Sequence, residues 1–128
     1  MNSLISWRGL LLAAGLILAG SAILHVIAYP NLGSAVRSAH LETWAPVLTG
    51  LWMMFALHLT LIAGFIVAAA VRPSLASDSS LFLCALLLAG DTALLGGFLG
   101  LFPGTVLVGI STALVIIART IRGPVGVT

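Results

Sequence analysis

Apolar residues fall into four long runs, each stopped by a short segment rich in proline, glycine or polar residues. The first run covers about 9–28 and stops at Tyr29-Pro30-Asn31. Proline disfavours helix at the residue before it, and Asn31-Leu32-Gly33 reads as a turn. The second run covers about 45–71 and stops at Arg72-Pro73. The third, about 81–102, follows a polar loop at 74–80, and the fourth, about 103–122, opens with Pro103. Proline is suited to a first helical turn, so Phe102-Pro103-Gly104 reads as a tight connection between the last two runs. About 20 apolar residues in a helix cross a bilayer. The pattern therefore predicts an all-α, integral-membrane four-helix bundle, a single transmembrane domain over 1–128.

Small residues recur at four-residue spacing: Gly15 and Ala19, Ala89, Ala93 and Gly97, Gly96 and Gly100, Gly109 and Ala113. Such pairs let helix backbones approach closely where lipid removes any hydrophobic drive between helices. They predict tight packing and a homo-oligomer. On the second helix, Trp44, Val47, Leu51, Phe55 and His58 fall at spacings of three and four. That face reads either as packing or as the wall of a pocket for an apolar ligand.

Composition agrees with the pattern. The chain is 61% hydrophobic and 6% charged, with mean hydropathy +1.26. Soluble domains carry about 25% charged residues, so most of the exterior must face lipid. The five cations are all arginine, scattered along the chain, which excludes nucleic acid as the partner. Four spans put both termini on one side, with Arg8, Arg72, Arg119 and Arg122, and leave Arg37 on the other. The positive-inside rule then places both ends in the cytoplasm, in a bacterial inner membrane. The first run is too long for the apolar core of a signal peptide and reads as a retained span. Cys84 is the one cysteine, so no intrachain disulfide forms.

Ionisable groups at membrane depth mark function by default. At about 1.5 Å per residue, Asp91 lies near the midplane and His58 within a few ångströms of that height, so the two can touch. His25 lies in the outer third, and His40 and Glu42 at the outer mouth. Glu42 suits a first helical turn, with Arg37 as partner. These groups form a column that can do acid–base work on a lipophilic substrate. Each also admits a structural role: Asp91 with Thr92 as interhelical glue, His58 as a satisfied histidine, His25 beside Ser21 closing the outer end. No close-spaced metal-ligand pair, nucleophile elbow or phosphate loop is present.

The run Arg37-Ser38-Ala39-His40, then Leu48-Thr49-Gly50 and Met53-Met54, with Gly90-Asp91-Thr92 on the third span, resembles styrene oxide isomerase and its small four-span relatives. The resemblance implies haem b as cofactor, its ferric iron a Lewis acid toward an epoxide oxygen. It carries His40 over as the axial ligand, and Thr49 and Thr92 to positions where that family tends to have asparagine. The gap from His40 to Gly50 is longer than the family spacing, and Gly96 stands where its tyrosine would fall.

Three functions follow as expectations. The first is a membrane enzyme, of isomerase type, holding a lipophilic small molecule. Its site would comprise Asp91, His58, Glu42 and His25, with Trp44, Thr49, Phe55 and Thr92 lining the pocket and His40 on haem. The second is a non-catalytic membrane subunit whose polar groups fix helix packing. The third is a proton-coupled carrier.

Overall fold

The computed structural model describes residues 6–122. The leading residues 1–5 and the Gly-Pro-Val-Gly-Val-Thr segment at 123–128 lie outside it. The described chain holds α1 (Trp7–Ile27), α2 (Tyr29–Ser38), a single 3-10 turn (Glu42–Trp44), α3 (Ala45–Val71), a second 3-10 turn (Pro73–Leu75), α4 (Asp78–Leu99) and α5 (Pro103–Arg122). Four of these helices, all but α2, are long and apolar enough to cross a membrane.

Two expectations need correction. The segment after the first run is not a plain loop: it forms α2. Proline ends α1 as expected, but Pro30 also fits the first turn of a new helix, where no N–H is needed. The third helix starts earlier than the apolar run, at Asp78. Ser77 Oγ accepts the Ser80 N–H at 3.1 Å, an N-cap that turns the polar loop into a helix start. It also ends sooner, at Leu99, because Gly100 takes a left-handed φ of 73°. Thr105 Oγ1 donates to the Gly100 carbonyl at 2.9 Å and ties the turn into α5.

The helices run up and down. α1 packs along α3 and α5, and α4 lies mainly on α5, whereas α3 and α4 barely approach one another. Fully buried side chains recur every seven residues: Leu11 and Leu18, Leu59 and Ile66, Leu81 and Leu88, Val108 and Val115. That is the seam of helices crossing at small angles. The outside is leucine, isoleucine and phenylalanine, as a lipid-facing surface requires.

The small residues divide by role. A Cβ on Gly15 would stand 2.6 Å from Val67 Cγ2 and 3.2 Å from the Ala63 carbonyl, so α1 and α3 touch through that glycine. A Cβ on Gly109 would stand 3.4 Å from Thr92 Cγ2 across α4 and α5. Ala89, Gly90, Ala93 and Gly97 instead face outward.

The end of the bundle that carries both terminal helix ends is tied by arginine. Arg8 donates to the Ala70 and Val71 carbonyls at 3.0 and 3.1 Å, covering the C-terminal end of α3. Arg119, in the last turn of α5, makes two bonds of 2.8 and 2.9 Å to Asp78 in the first turn of α4. On α3 and α4, tight packing is confined toward this end. Buried residues of α3 begin at Ala56, and those of α4 stop at Leu88. Toward α2 the helices part.

Gly15→Leu is expected to lower thermal stability in detergent by about 1–3 kcal/mol through overpacking. Gly20→Ala, where a Cβ meets nothing within 4 Å, leaves it unchanged. Paired melting curves check this.

Candidate functional site

The parting of the helices leaves a cavity of about 240 Å³ between α1, α3, α4 and α5. Its floor is set by Phe55, Leu95 and Val108, and its mouth by Ala28, Leu99 and Phe102. Its polar side chains are Ser21 and His25, both on α1. They are four residues apart and so share one face of that helix.

His25 is held by a reciprocal pair of bonds. Its Nε2 donates to the Trp52 carbonyl at 3.1 Å, and Trp52 Nε1 donates to the His25 carbonyl at 2.9 Å. The two rings stack at 3.9 Å with 16° between their planes. Phe55 meets His25 edge-on at 5.2 Å. Each ring thereby fixes the other, and the wall between α1 and α3 is rigid.

One turn below the floor, His58 Nε2 donates to Asp91 Oδ2 at 3.0 Å. The expected contact across the second and third spans is present. The side chains keep 37% and 16% of their surface, so the carboxylate is the more enclosed partner. Phe55 lies between this pair and His25, its ring 6.3 Å from His58. His25, His58 and Asp91 thus form the lower part of the expected column, with the Phe55 ring as its middle link, whereas His40 and Glu42, expected at its mouth, do not line this cavity. The pair also spans the seam where α3 and α4 otherwise stand apart, at the level where tight packing ends.

The other expected site residues lie elsewhere. Glu42 and Thr49 line a separate groove of about 380 Å³ against α2, together with Arg37 and Tyr29. Arg37 bonds Ser34 at 3.4 Å, and the expected Arg37–Glu42 ion pair is not among those formed by the described residues. Thr92 sits in the α4–α5 seam, 3.3 Å from Thr112 Oγ1, and returns its proton to the Leu88 carbonyl. Trp44, Val47 and Leu51 point outward, so the pocket face of α3 is not the stripe expected. The inward face carries Trp52, Phe55, Ala56 and Leu59. α3 is apolar all round, and no polar contrast marked which stripe turns inward. Trp52 was missed for that reason; its spacing to Phe55 and Leu59 was the available signal.

His40 stands on the exposed connection after α2 with φ 54°, and lines neither cavity. Thr49 and Thr92, expected to line one pocket, lie apart, Thr49 in the groove against α2 and Thr92 in the α4–α5 seam. Within one chain these residues do not fit a haem held by His40. Comparison with family models, curated proteins and solved structures yielded no match.

A double-mutant cycle of His58→Ala and Asp91→Ala, read by unfolding in detergent, is expected to show a coupling of about 1 kcal/mol. Additive effects would mean that the two groups do not bond.

Proposed function

We propose that this chain is an integral membrane protein that binds one small lipophilic molecule in the cavity between α1, α3, α4 and α5. The carrying observation is the cavity itself, apolar over its floor and mouth, with a polar face on one helix alone. Ligand sites in helical bundles have this character: apolar walls with a few placed polar groups. An apolar cavity of about 150 Å³ takes up benzene, so 240 Å³ accommodates a compact molecule somewhat larger than one ring. The ligand would arrive from the bilayer.

The His58–Asp91 pair supports acid–base work only on a molecule that passes Phe55. Binding is therefore the primary reading, and conversion of the ligand is not needed for it. A second reading is favoured by one observation. Among the described residues no fully buried side-chain nitrogen or oxygen lacks a partner. Polar groups so well matched also suit a non-catalytic subunit, whose bonds set helix register.

The distribution of arginine supports an orientation with both terminal helix ends in the cytoplasm and α2 outside. In a Cys84→Ala background, Asn31→Cys is expected to react with a membrane-impermeant maleimide from outside the cell, and Ser74→Cys only after permeabilisation. The reverse pattern would invert the topology.

Ligand binding is tested by fluorescence. With Trp7→Phe and Trp44→Phe, Trp52 is the one remaining reporter, and it lines the cavity. In lipid nanodiscs, 1-bromoadamantane is expected to quench it saturably, one molecule per chain, and Ala28→Phe, which fills the mouth, removes the saturation. Quenching that merely tracks the amount of bromide in the lipid contradicts the proposal.

A further inference from the structure

Four polar side chains are buried in the bundle: Ser21, Thr105, Ser111 and Thr112. Three of them donate to a backbone carbonyl. Thr105 bonds Gly100, Ser111 bonds Leu107 and reaches Ala14 at 3.3 Å, and Thr112 bonds Val108. Ser21 is 5% exposed, yet makes no hydrogen bond to any described residue. A helical serine commonly returns its proton to the carbonyl one turn back, as Thr60, Thr92 and Ser111 do here. Ser21 does not. Its hydroxyl is not sealed off either, because no fully buried polar atom lacks a partner. The surface left to it belongs to the cavity it lines.

His25 stands one turn further along the same face. A carbonyl oxygen only accepts, so the bond to Trp52 puts the ring proton on Nε2. In the neutral ring, Nδ1 then carries a lone pair, and no described residue donates to it. Side chains four residues apart on a helix stand about 5–6 Å apart at Cβ. A single oxygen atom can meet both. One group offers a donor and the other an acceptor, in a cavity whose floor and mouth are hydrocarbon or aromatic.

We infer that the cavity selects an apolar molecule carrying one hydroxyl group, whose O–H donates to His25 Nδ1 and whose oxygen accepts from Ser21 Oγ–H. The inference rests on the reading of the cavity as a ligand site and names the class of ligand. A hydrocarbon fills the same volume but leaves Ser21 and Nδ1 unmatched. An ether or ketone matches Ser21 alone. The hydroxyl matches both, and unmatched polar groups in an apolar site discriminate strongly between such analogues.

The test uses rigid, non-absorbing probes of one shape: 1-adamantanol, 1-methoxyadamantane and adamantane. Each competes with 1-bromoadamantane at the Trp52 reporter in nanodiscs, with concentrations referred to the lipid phase so that partitioning cancels. The alcohol is expected to displace the bromide at about tenfold lower concentration than the ether. Ser21→Ala weakens the alcohol and the ether alike, several-fold relative to adamantane, because both accept from its hydroxyl. His25→Phe keeps an aromatic ring beside Trp52 and removes the preference of alcohol over ether. Should that variant fail to fold, the alcohol-to-ether ratio of the unaltered chain decides for Nδ1 and Ser21→Ala for the hydroxyl. Equal displacement by alcohol and ether, or an alcohol and an ether that lose nothing relative to adamantane in Ser21→Ala, overturns the inference while leaving the cavity a ligand site. If 1-bromoadamantane itself does not quench saturably, the ligand-site reading falls, and the inference with it.

Discussion

Lipid offers no hydrogen bonds, so each polar group among these helices must find its partner inside the protein. Much of the architecture answers to that constraint. Arg8 covers the carbonyls that end α3, Arg119 holds Asp78, and the interhelical hydroxyls bond to backbone or to each other. At mid-height the same constraint joins His58 to Asp91. This bond crosses the one seam where neighbouring helices of the ring do not pack backbone to backbone. It marks the level below which the bundle is close-packed and above which it opens.

The opening is a consequence of where side-chain volume lies. Below the pair, α3 and α4 contribute Leu59, Ile66, Leu81 and Leu88 to a seam with a seven-residue repeat. Above it, α4 turns mainly outward, and Leu94 and Phe98 are exposed on the outside of the bundle. The wall that remains is held by His25 and Trp52, each bonded to the other's backbone and stacked ring on ring. A rigid wall facing a loosely packed half is how a bundle keeps an internal cavity without losing its fold. Against that background of satisfied polar groups, Ser21 and His25 Nδ1 stand out because the protein supplies them no partner.

The four spans were legible because run length and the proline punctuation sufficed. The His58–Asp91 contact was legible because helical rise puts both residues at one height, whatever the details of packing. α2 was not, since Pro30 serves equally to stop one helix and to start another. The inward face of α3 was misjudged: where a helix is apolar all round, periodicity cannot tell Leu51 from Trp52. The cavity left no mark on the sequence at all. It arises from the separation of α4 from α3, a property of four helices together. Ser21 carried a faint signal, a hydroxyl one turn before a histidine, that gains its meaning only once the neighbouring bonds are known.

The most direct measurement is the ¹⁵N NMR of the His25 ring in lipid nanodiscs, recorded while 1-adamantanol is added. The account requires the proton on Nε2, an unprotonated Nδ1, and an Nδ1 resonance that moves saturably with the alcohol while that of His58 stays still. A proton already on Nδ1, or an Nδ1 resonance that does not respond as the lipid fills with the alcohol, would contradict it.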